Sequence, residues 1–113
     1  MNNTISHQPS FKANIDGKFL DAANAYLKKR PEREYKQFCS AVRRFHEVPN
    51  SDHLTIAYKR GFENGKEMHS LVAMENEKEP IMLSAKDQFR KLIQKFLYMN
   101  EYEFKIKTGL IKK

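Results

Sequence analysis

Few side chains in this sequence have the types and spacing needed for metal or nucleophile chemistry. His46, Asp52 and His53 flank one proline-containing loop and are of the kinds that bind transition metals. Their spacing matches no zinc motif, so a capping aspartate and two surface histidines explain the pattern better. Cys39 has no second cysteine and lies on the apolar stripe of a predicted helix, which favours a buried thiol over a nucleophile. The sequence therefore predicts no metal site.

Phosphate-binding loops are also missing from the sequence. Each glycine stands singly and is explained by a turn or a helix cap; the four are Gly17, Gly61, Gly65 and Gly109. We therefore expect a protein that is not an enzyme and that binds no cofactor. An enzyme with an unfamiliar site is the alternative, because function depends on three-dimensional geometry that a single sequence does not display.

Positive charge is the main chemical feature of the chain. The 113 residues include 21 lysines and arginines against 14 acids, a formal net charge of +7. This excess favours anionic partners, either nucleic acid or an acidic protein surface. The net charge is +4 over residues 1–50, −2 over 51–80 and +5 over 81–113, so two basic segments flank a mildly acidic one.

A nucleic-acid contact surface is predicted mainly from the basic side chains of two helices, with Arg60 added from the hairpin. One group lies just before the second predicted helix, and another lies on the polar side of that helix. A smaller group lies on the last long helix. Such a surface neutralises backbone phosphates without reading bases. The predicted contacts are Lys28, Lys29, Arg30, Arg33, Lys36, Arg43, Arg44, Arg60, Lys91 and Lys95. Phe62 and Tyr98 are the aromatic residues predicted to stack on a base. The alternative is a solvated outer face with pairs such as Glu32 to Lys36.

A second hypothesis is a protein-interaction module, such as an inhibitor or adaptor of a larger assembly. Phe62 at a hairpin end, with Met68 and Met74 on the return strand, would provide an adaptable apolar patch. An edge strand beginning at Pro80 would allow strand addition by a partner or by a second copy in a homodimer. The alternative is that both methionines fill gaps under the helices.

The predicted basic surface depends on two helices near the start of the chain. Residues 1–15 are polar and aperiodic, and we predict a flexible arm there. Asp16 is predicted to cap a helix that ends before Pro31, and Pro31 to open a second helix that ends near Glu47. Both segments carry apolar residues at intervals of three and four.

The apolar period then changes to two over a predicted hairpin. Asn64-Gly65 supplies the turn, and two registers are compatible with it. A two-residue loop sets Ile56 opposite Ala73, whereas a three-residue loop sets Ile56 opposite Val72. We prefer the three-residue loop, because it collects more apolar residues on one face.

The remaining segments complete an α+β domain over residues 16–113. A short strand is predicted from Pro80, followed by a helix that Ser84 and Asp87 begin as a capping box. Residues 102–107 alternate apolar and charged side chains, which predicts a final strand. The predicted order is two helices, a three-stranded antiparallel meander, a long helix and a C-terminal strand, with the helices packed on one sheet face.

Cysteine and apolar content bear on the compartment. With a single cysteine the chain makes no intramolecular disulfide, so a cytoplasmic location is expected. No apolar run approaches the roughly 20 residues of a membrane span. We expect no membrane partner.

Overall fold

The computed structural model describes residues 13–112. In chain order the elements are β1 (Asn14–Ile15), α1 (Gly17–Leu27), α2 (Glu32–His46), β2 (Leu54–Glu63), β3 (Lys66–Glu75), β4 (Ile81–Asp87), α3 (Phe89–Tyr98) and α4 (Glu101–Thr108). The strands form one mixed sheet in the order β1-β2-β3-β4, so the predicted α+β class is confirmed. β1 runs parallel to β2, and the other neighbouring strands are antiparallel.

The first two helices begin and end close to their predicted positions. Asp16 caps α1, because its Oδ1 accepts a hydrogen bond from the backbone N–H of Lys18 at 2.9 Å. Its Oδ2 accepts another from the backbone N–H of Tyr58 in β2 at 3.1 Å, so one carboxylate joins the helix start to the sheet. Pro31 is the N-cap residue of α2 rather than part of its first turn.

The predicted three-residue hairpin loop is wrong. β2 and β3 pair Ile56 with Ala73, which is the register of the two-residue loop. Asn64 and Gly65 both have positive φ, 52° and 78°, as a type I′ turn requires at its two central residues. This turn matches the twist of the flanking strands, and that local geometry outweighs the apolar match of the longer loop.

The observed register gives the hairpin one covered and one uncovered face. The covered face carries the strand residues of the hydrophobic core, which are Leu54, Ile56, Leu71, Ala73 and Leu83. Because side chains alternate along a strand, Met68, Val72 and Met74 lie on the opposite, outer face. Val72 is buried there without joining the core that the helices share. The helices therefore pack on the face that carries Leu54 and Ile56.

Aromatic rings fix the helices against one another. Phe19 of α1 meets Phe96 of α3 edge-on, with ring centroids 5.1 Å apart. Phe45 of α2 stacks on Phe96 at 4.8 Å and meets Phe104 of α4 edge-on at 5.0 Å. Since such pairs add to the hydrophobic burial of the rings, they stabilise the packing of α2 beside α3.

The predicted capping box at Ser84 is wrong. β4 continues to Asp87, and Ser84 is buried within the strand opposite Leu71. α3 begins only after Gln88, its N-cap residue, which makes no side-chain cap. Asp87 pairs with His69 of β3. Pairing with the central strand therefore outweighs an earlier start of the helix.

The predicted C-terminal strand is also wrong, because that segment forms α4. The side-chain oxygen of Asn100 accepts a hydrogen bond from the backbone N–H of Glu103 at 2.8 Å and caps the helix. Gly109 ends it in the left-handed conformation, with φ of 81°. These end signals outweigh a short alternating pattern, and the helix still buries Phe104.

The sheet begins before Asp16. Ala13 is buried, and Asn14–Ile15 pairs with β2, so the last part of the predicted arm belongs to the domain. Residues 1–12 of that arm lie outside the described residues. Within residues 13–112, no helix is long and apolar enough to cross a membrane.

Candidate nucleic-acid interface

Two adjoining depressions lie between α2 and α3. The first has a volume of about 390 Å³, and its charged lining residues are Arg30, Arg33, Glu34 and Arg90. The second has a volume of about 360 Å³ and includes Lys36 and Arg44. Both include Gln37, Leu97 and Tyr98, so they form one continuous depression, which we call the α2–α3 groove.

Helical spacing brings these cations together. Arg30 lies two residues before α2, and Arg33 and Gln37 follow it along one side of that helix at intervals of three and four. On α3, Arg90 and Gln94 are four residues apart and Tyr98 follows after four more. Each helix thus presents one row of polar side chains to the same groove.

Tyr98 lies where three depressions meet. Its side chain is 80% exposed, and it lines both parts of the α2–α3 groove. It also lines a larger cleft of about 630 Å³ between β4, α3 and α4, which we call the Ser84 cleft. The lysines of this cleft are Lys91, Lys95 and Lys107. An exposed aromatic ring therefore has cations on both sides of it.

Two of the groove cations are held by neighbouring acids. Arg30 forms an ion pair with Glu34 at 3.1 Å, and its guanidinium carbon lies 5.9 Å from the centre of the Tyr26 ring. The hydrogen bond to Glu34 raises the pKa of Arg30 above its ordinary value. Lys36 pairs with Glu32 at 3.2 Å, the intrahelical pair anticipated from the sequence.

Arg33 and Arg90 are the groove arginines that remain available to an external anion. They come from different helices, line the same depression, and form no ion pair within the described residues. Arg90 is not among the contacts predicted from the sequence, which assigns only Lys91 and Lys95 of this helix to the cationic surface. Its spacing of four residues from Gln94 was the signal that pointed to this side of α3.

Other predicted contacts lie elsewhere. Lys28 lines a separate depression near Tyr35. Lys29 and Arg43 are exposed but line neither the α2–α3 groove nor the Ser84 cleft. Arg60 forms an ion pair across the hairpin with Glu67. The predicted cationic surface is thus partly assembled and partly dispersed.

Asp87 moderates the charge beside the Ser84 cleft. Lys95 and Lys91 lie 3.4 and 4.0 Å from its carboxylate oxygens. The backbone N–H of Gln88, followed by Lys95 and Lys91, lowers the pKa of Asp87 below its ordinary value. The carboxylate therefore stays ionised and holds both lysines near the cleft.

The histidines make contacts of other kinds. His53 contacts Glu75 through Nε2, and its Nδ1 lies 4.0 Å from Asp52. Hydrogen bonding from Lys78, together with the charges of Lys78 and His53, lowers the pKa of Glu75. Within residues 13–112, no three metal-binding side chains are grouped closely enough to hold an ion.

A series of polar contacts between β2 and β3 is not anticipated from the sequence. The hydroxyl of Tyr58 contacts Nδ1 of His69, and Nε2 of His69 lies 3.5 Å from Glu67. Burial raises the pKa of Tyr58. The two rings stack on each other and meet Phe89, and none of these residues lines the groove or the cleft. These contacts therefore form a polar link between β2 and β3.

The residues predicted for protein interaction lie apart from the groove. Phe62 is largely exposed near the hairpin turn, while Met74 and the partly buried Met68 lie on the outer face of the sheet. Met82 of β4 pairs with Val72 and adds a further exposed apolar side chain to that face. The outer face thus carries exposed methionines together with charged residues such as Lys59, Glu63 and Lys66.

Comparisons with known proteins give no relative: no protein-family model, no curated protein and no solved structure matches this chain.

Proposed function

We propose that this protein binds single-stranded nucleic acid through the α2–α3 groove and carries out no chemistry on it. The observation that carries the proposal is the exposed ring of Tyr98 in a groove that is also lined by Arg30, Arg33 and Arg90. Sequence-tolerant binding of single strands combines a cationic groove along the backbone with aromatic rings on which bases stack. A cytoplasmic location is part of the proposal, and the single cysteine is compatible with it.

The arginines suit phosphate contacts better than a purely structural role. Arg33 and Arg90 form no ion pair within residues 13–112, so a phosphate oxygen does not have to displace a protein carboxylate. A guanidinium can also bind a phosphate through two parallel hydrogen bonds. Arg30 is already held by Glu34, and in the proposal it adds positive potential rather than a direct contact.

Single strands are favoured over duplex because Tyr98 requires an unstacked base. A base in a duplex is already stacked and paired, and the ring would have to pull it out at a cost of a few kcal/mol. A flexible strand can place a phosphate on Arg33 or Arg90 and the adjoining base on Tyr98.

Fluorescence anisotropy with labelled single-stranded and duplex oligonucleotides tests the proposal. At about 50 mM salt the single strand should bind more tightly, and affinity should fall steeply by about 200 mM. Arg33→Gln and Arg90→Gln should each weaken binding and reduce the slope of log K against log salt by about 1.

Arg43→Gln is the matched control, because Arg43 has the same side chain on the same helix but lines neither depression of the groove. It should leave affinity within about twofold, because an exposed charge that does not line the groove is largely screened by salt. Absence of binding at low salt, or equal losses from all three changes, would rule the groove out.

A protein-interaction module is the second candidate, supported by the exposed Met74 and Met82 on the outer face of the sheet. Methionines adapt to varied partners, and basic residues elsewhere would steer an acidic protein toward the surface. If this is the function, the double variant Met74→Gln, Met82→Gln should lose the protein's activity in cells. The double variant Arg33→Gln, Arg90→Gln should keep it. The nucleic-acid proposal expects the reverse.

A further inference from the structure

The Ser84 cleft contains a buried hydroxyl without a partner. Ser84 lies in β4, is 3% exposed, and is one of the residues that line the cleft. Its Oγ makes no hydrogen bond with any of the described residues. A buried hydroxyl left in this state costs about 1–3 kcal/mol, so such a group in a folded protein needs an explanation.

Three lysines line the same cleft as Ser84. Nζ of Lys107 donates a hydrogen bond at 3.0 Å to the carbonyl oxygen of Leu83, the residue next to Ser84 in the chain. This bond uses one of the three donors of an ammonium group and leaves two for a ligand. Lys91 and Lys95 enter the same cleft from α3.

The carboxylates near the cleft only partly offset these charges. Glu103 lines the cleft, and Asp87 lies beside it in contact with Lys91 and Lys95. The lining itself therefore holds three cations and one anion. The volume of about 630 Å³ falls within the range of small-molecule sites.

We propose that the Ser84 cleft binds a phosphate monoester, the group carried by a free nucleotide or by the phosphorylated end of a nucleic-acid strand. The hydroxyl of Ser84 donates a hydrogen bond to one phosphate oxygen and so gains the partner that it lacks. The lysines balance the negative charge of the phosphate. Tyr98 borders both this cleft and the α2–α3 groove, so the base attached to the phosphate has a ring to stack on. The phosphate site itself does not rest on the proposed function; only its assignment to a strand end does.

Isothermal titration of the whole protein with inorganic phosphate, a nucleoside 5′-monophosphate and the matching nucleoside tests the site. Both phosphate-bearing probes should bind with one site per chain, and the nucleoside should not. Ser84→Ala should weaken phosphate binding about fivefold, the equivalent of one hydrogen bond. Lys91→Gln should also weaken it, whereas Lys66→Gln at the start of β3 is the control and should have no effect.

The unfolding midpoint separates a ligand site from a packing defect. Without ligand, Ser84→Ala should unfold at the same or a higher urea concentration than the parent, since an unsatisfied hydroxyl is removed. If phosphate fails to bind, or binds equally well to the Ser84→Ala and Lys91→Gln proteins, the cleft is not a phosphate site.

Oligonucleotides with and without a terminal phosphate, at the 5′ and 3′ ends separately, identify the source. If a strand end is the ligand, the oligonucleotide phosphorylated at one of its two ends should bind more tightly than the unphosphorylated one. Ser84→Ala should remove that gain in affinity. If strands do not bind but the nucleoside monophosphate does, the proposed function fails and the cleft stands as a nucleotide site. If strands bind and no phosphate-bearing probe does, the groove stands and the cleft proposal fails.

Discussion

Arg44 and Leu97 join the two helices of the candidate interface: Nη2 of Arg44 donates a hydrogen bond at 2.9 Å to the backbone carbonyl oxygen of Leu97. That carbonyl lies in the last turn of α3, where helix carbonyls have no partner within the helix. The cation also suits the negative end of the helix. Arg44, predicted as a phosphate contact, therefore already has a partner within the protein, in the residue next to Tyr98.

Arg44→Gln should lower the free energy of unfolding by about 1 kcal/mol, because a hydrogen bond from a charged donor and a helix C-terminal charge are both lost. Urea denaturation followed by circular dichroism measures the change. Arg43→Gln removes the same charge one position earlier and should shift stability by no more than about 0.5 kcal/mol. Equal effects of the two changes would show that the bond to Leu97 contributes nothing beyond charge.

Tyr98→Ala should weaken single-strand binding about tenfold while leaving the unfolding midpoint unchanged, because the ring is largely exposed and base stacking contributes about 1–3 kcal/mol. Anisotropy titrations at one fixed salt concentration provide the measurement. Tyr102→Ala on α4 is the control, since it also removes an exposed tyrosine but lines neither the groove nor the cleft. Losses of similar size from both would argue against a specific stacking position.

Gly109→Ala and Gly17→Ala should change stability in opposite directions. Gly109 has φ of 81° at the end of α4, so alanine there is strained, and we expect a loss of about 1 kcal/mol. Gly17 begins α1 without a positive φ, and an added Cβ meets nothing within 4 Å at either position. Alanine at position 17 should therefore raise stability by about 0.4–1 kcal/mol. Urea denaturation tests both changes. If Gly109→Ala left the free energy of unfolding unchanged, the left-handed conformation of Gly109 at the end of α4 would be contradicted.

Asp87 should contribute to the acid sensitivity of the fold. Its pKa is lowered in the folded protein, mainly by the backbone N–H of Gln88 and also by Lys95 and Lys91. A depressed folded-state pKa gives stability that is present above the unfolded-state pKa and is lost as the pH falls through the folded-state value. The urea midpoint of the parent should thus exceed that of Asp87→Asn at pH 7, and the difference should shrink in acid. A constant difference between pH 7 and about pH 3 would contradict this contribution.

The elements that sequence patterns located well are those with strong local signals. Asp16 and Pro31 bound the first two helices as expected, and Asn64-Gly65 makes the hairpin turn. The predicted register is wrong because apolar matching favours the longer loop, whereas Asn64 and Gly65 both tolerate positive φ and favour the shorter one. The last segment was missed because six alternating residues resemble a strand, while the Asn100 cap and the terminal glycine specify a helix.

The candidate site was less accessible to sequence reasoning because it depends on packing between separate elements. Stacking of Phe45 on Phe96 sets α2 beside α3, and no local pattern reveals that pair. Ser84 fits the pattern of a helix cap, and only the structure places it in a strand, where it is buried and lines a cleft together with lysines of α3 and α4.

Asp16 couples parts of the molecule that are distant in the chain. One carboxylate oxygen holds the first turn of α1, and the other holds the backbone of β2 beside the short strand β1. Detaching that edge of the sheet therefore also releases the beginning of α1, so the two should open as one cooperative unit. Amide protons of β1 and of the first turn of α1 should exchange with deuterated solvent at a common rate. Replacing Asp16 should increase the exchange rate of both segments together.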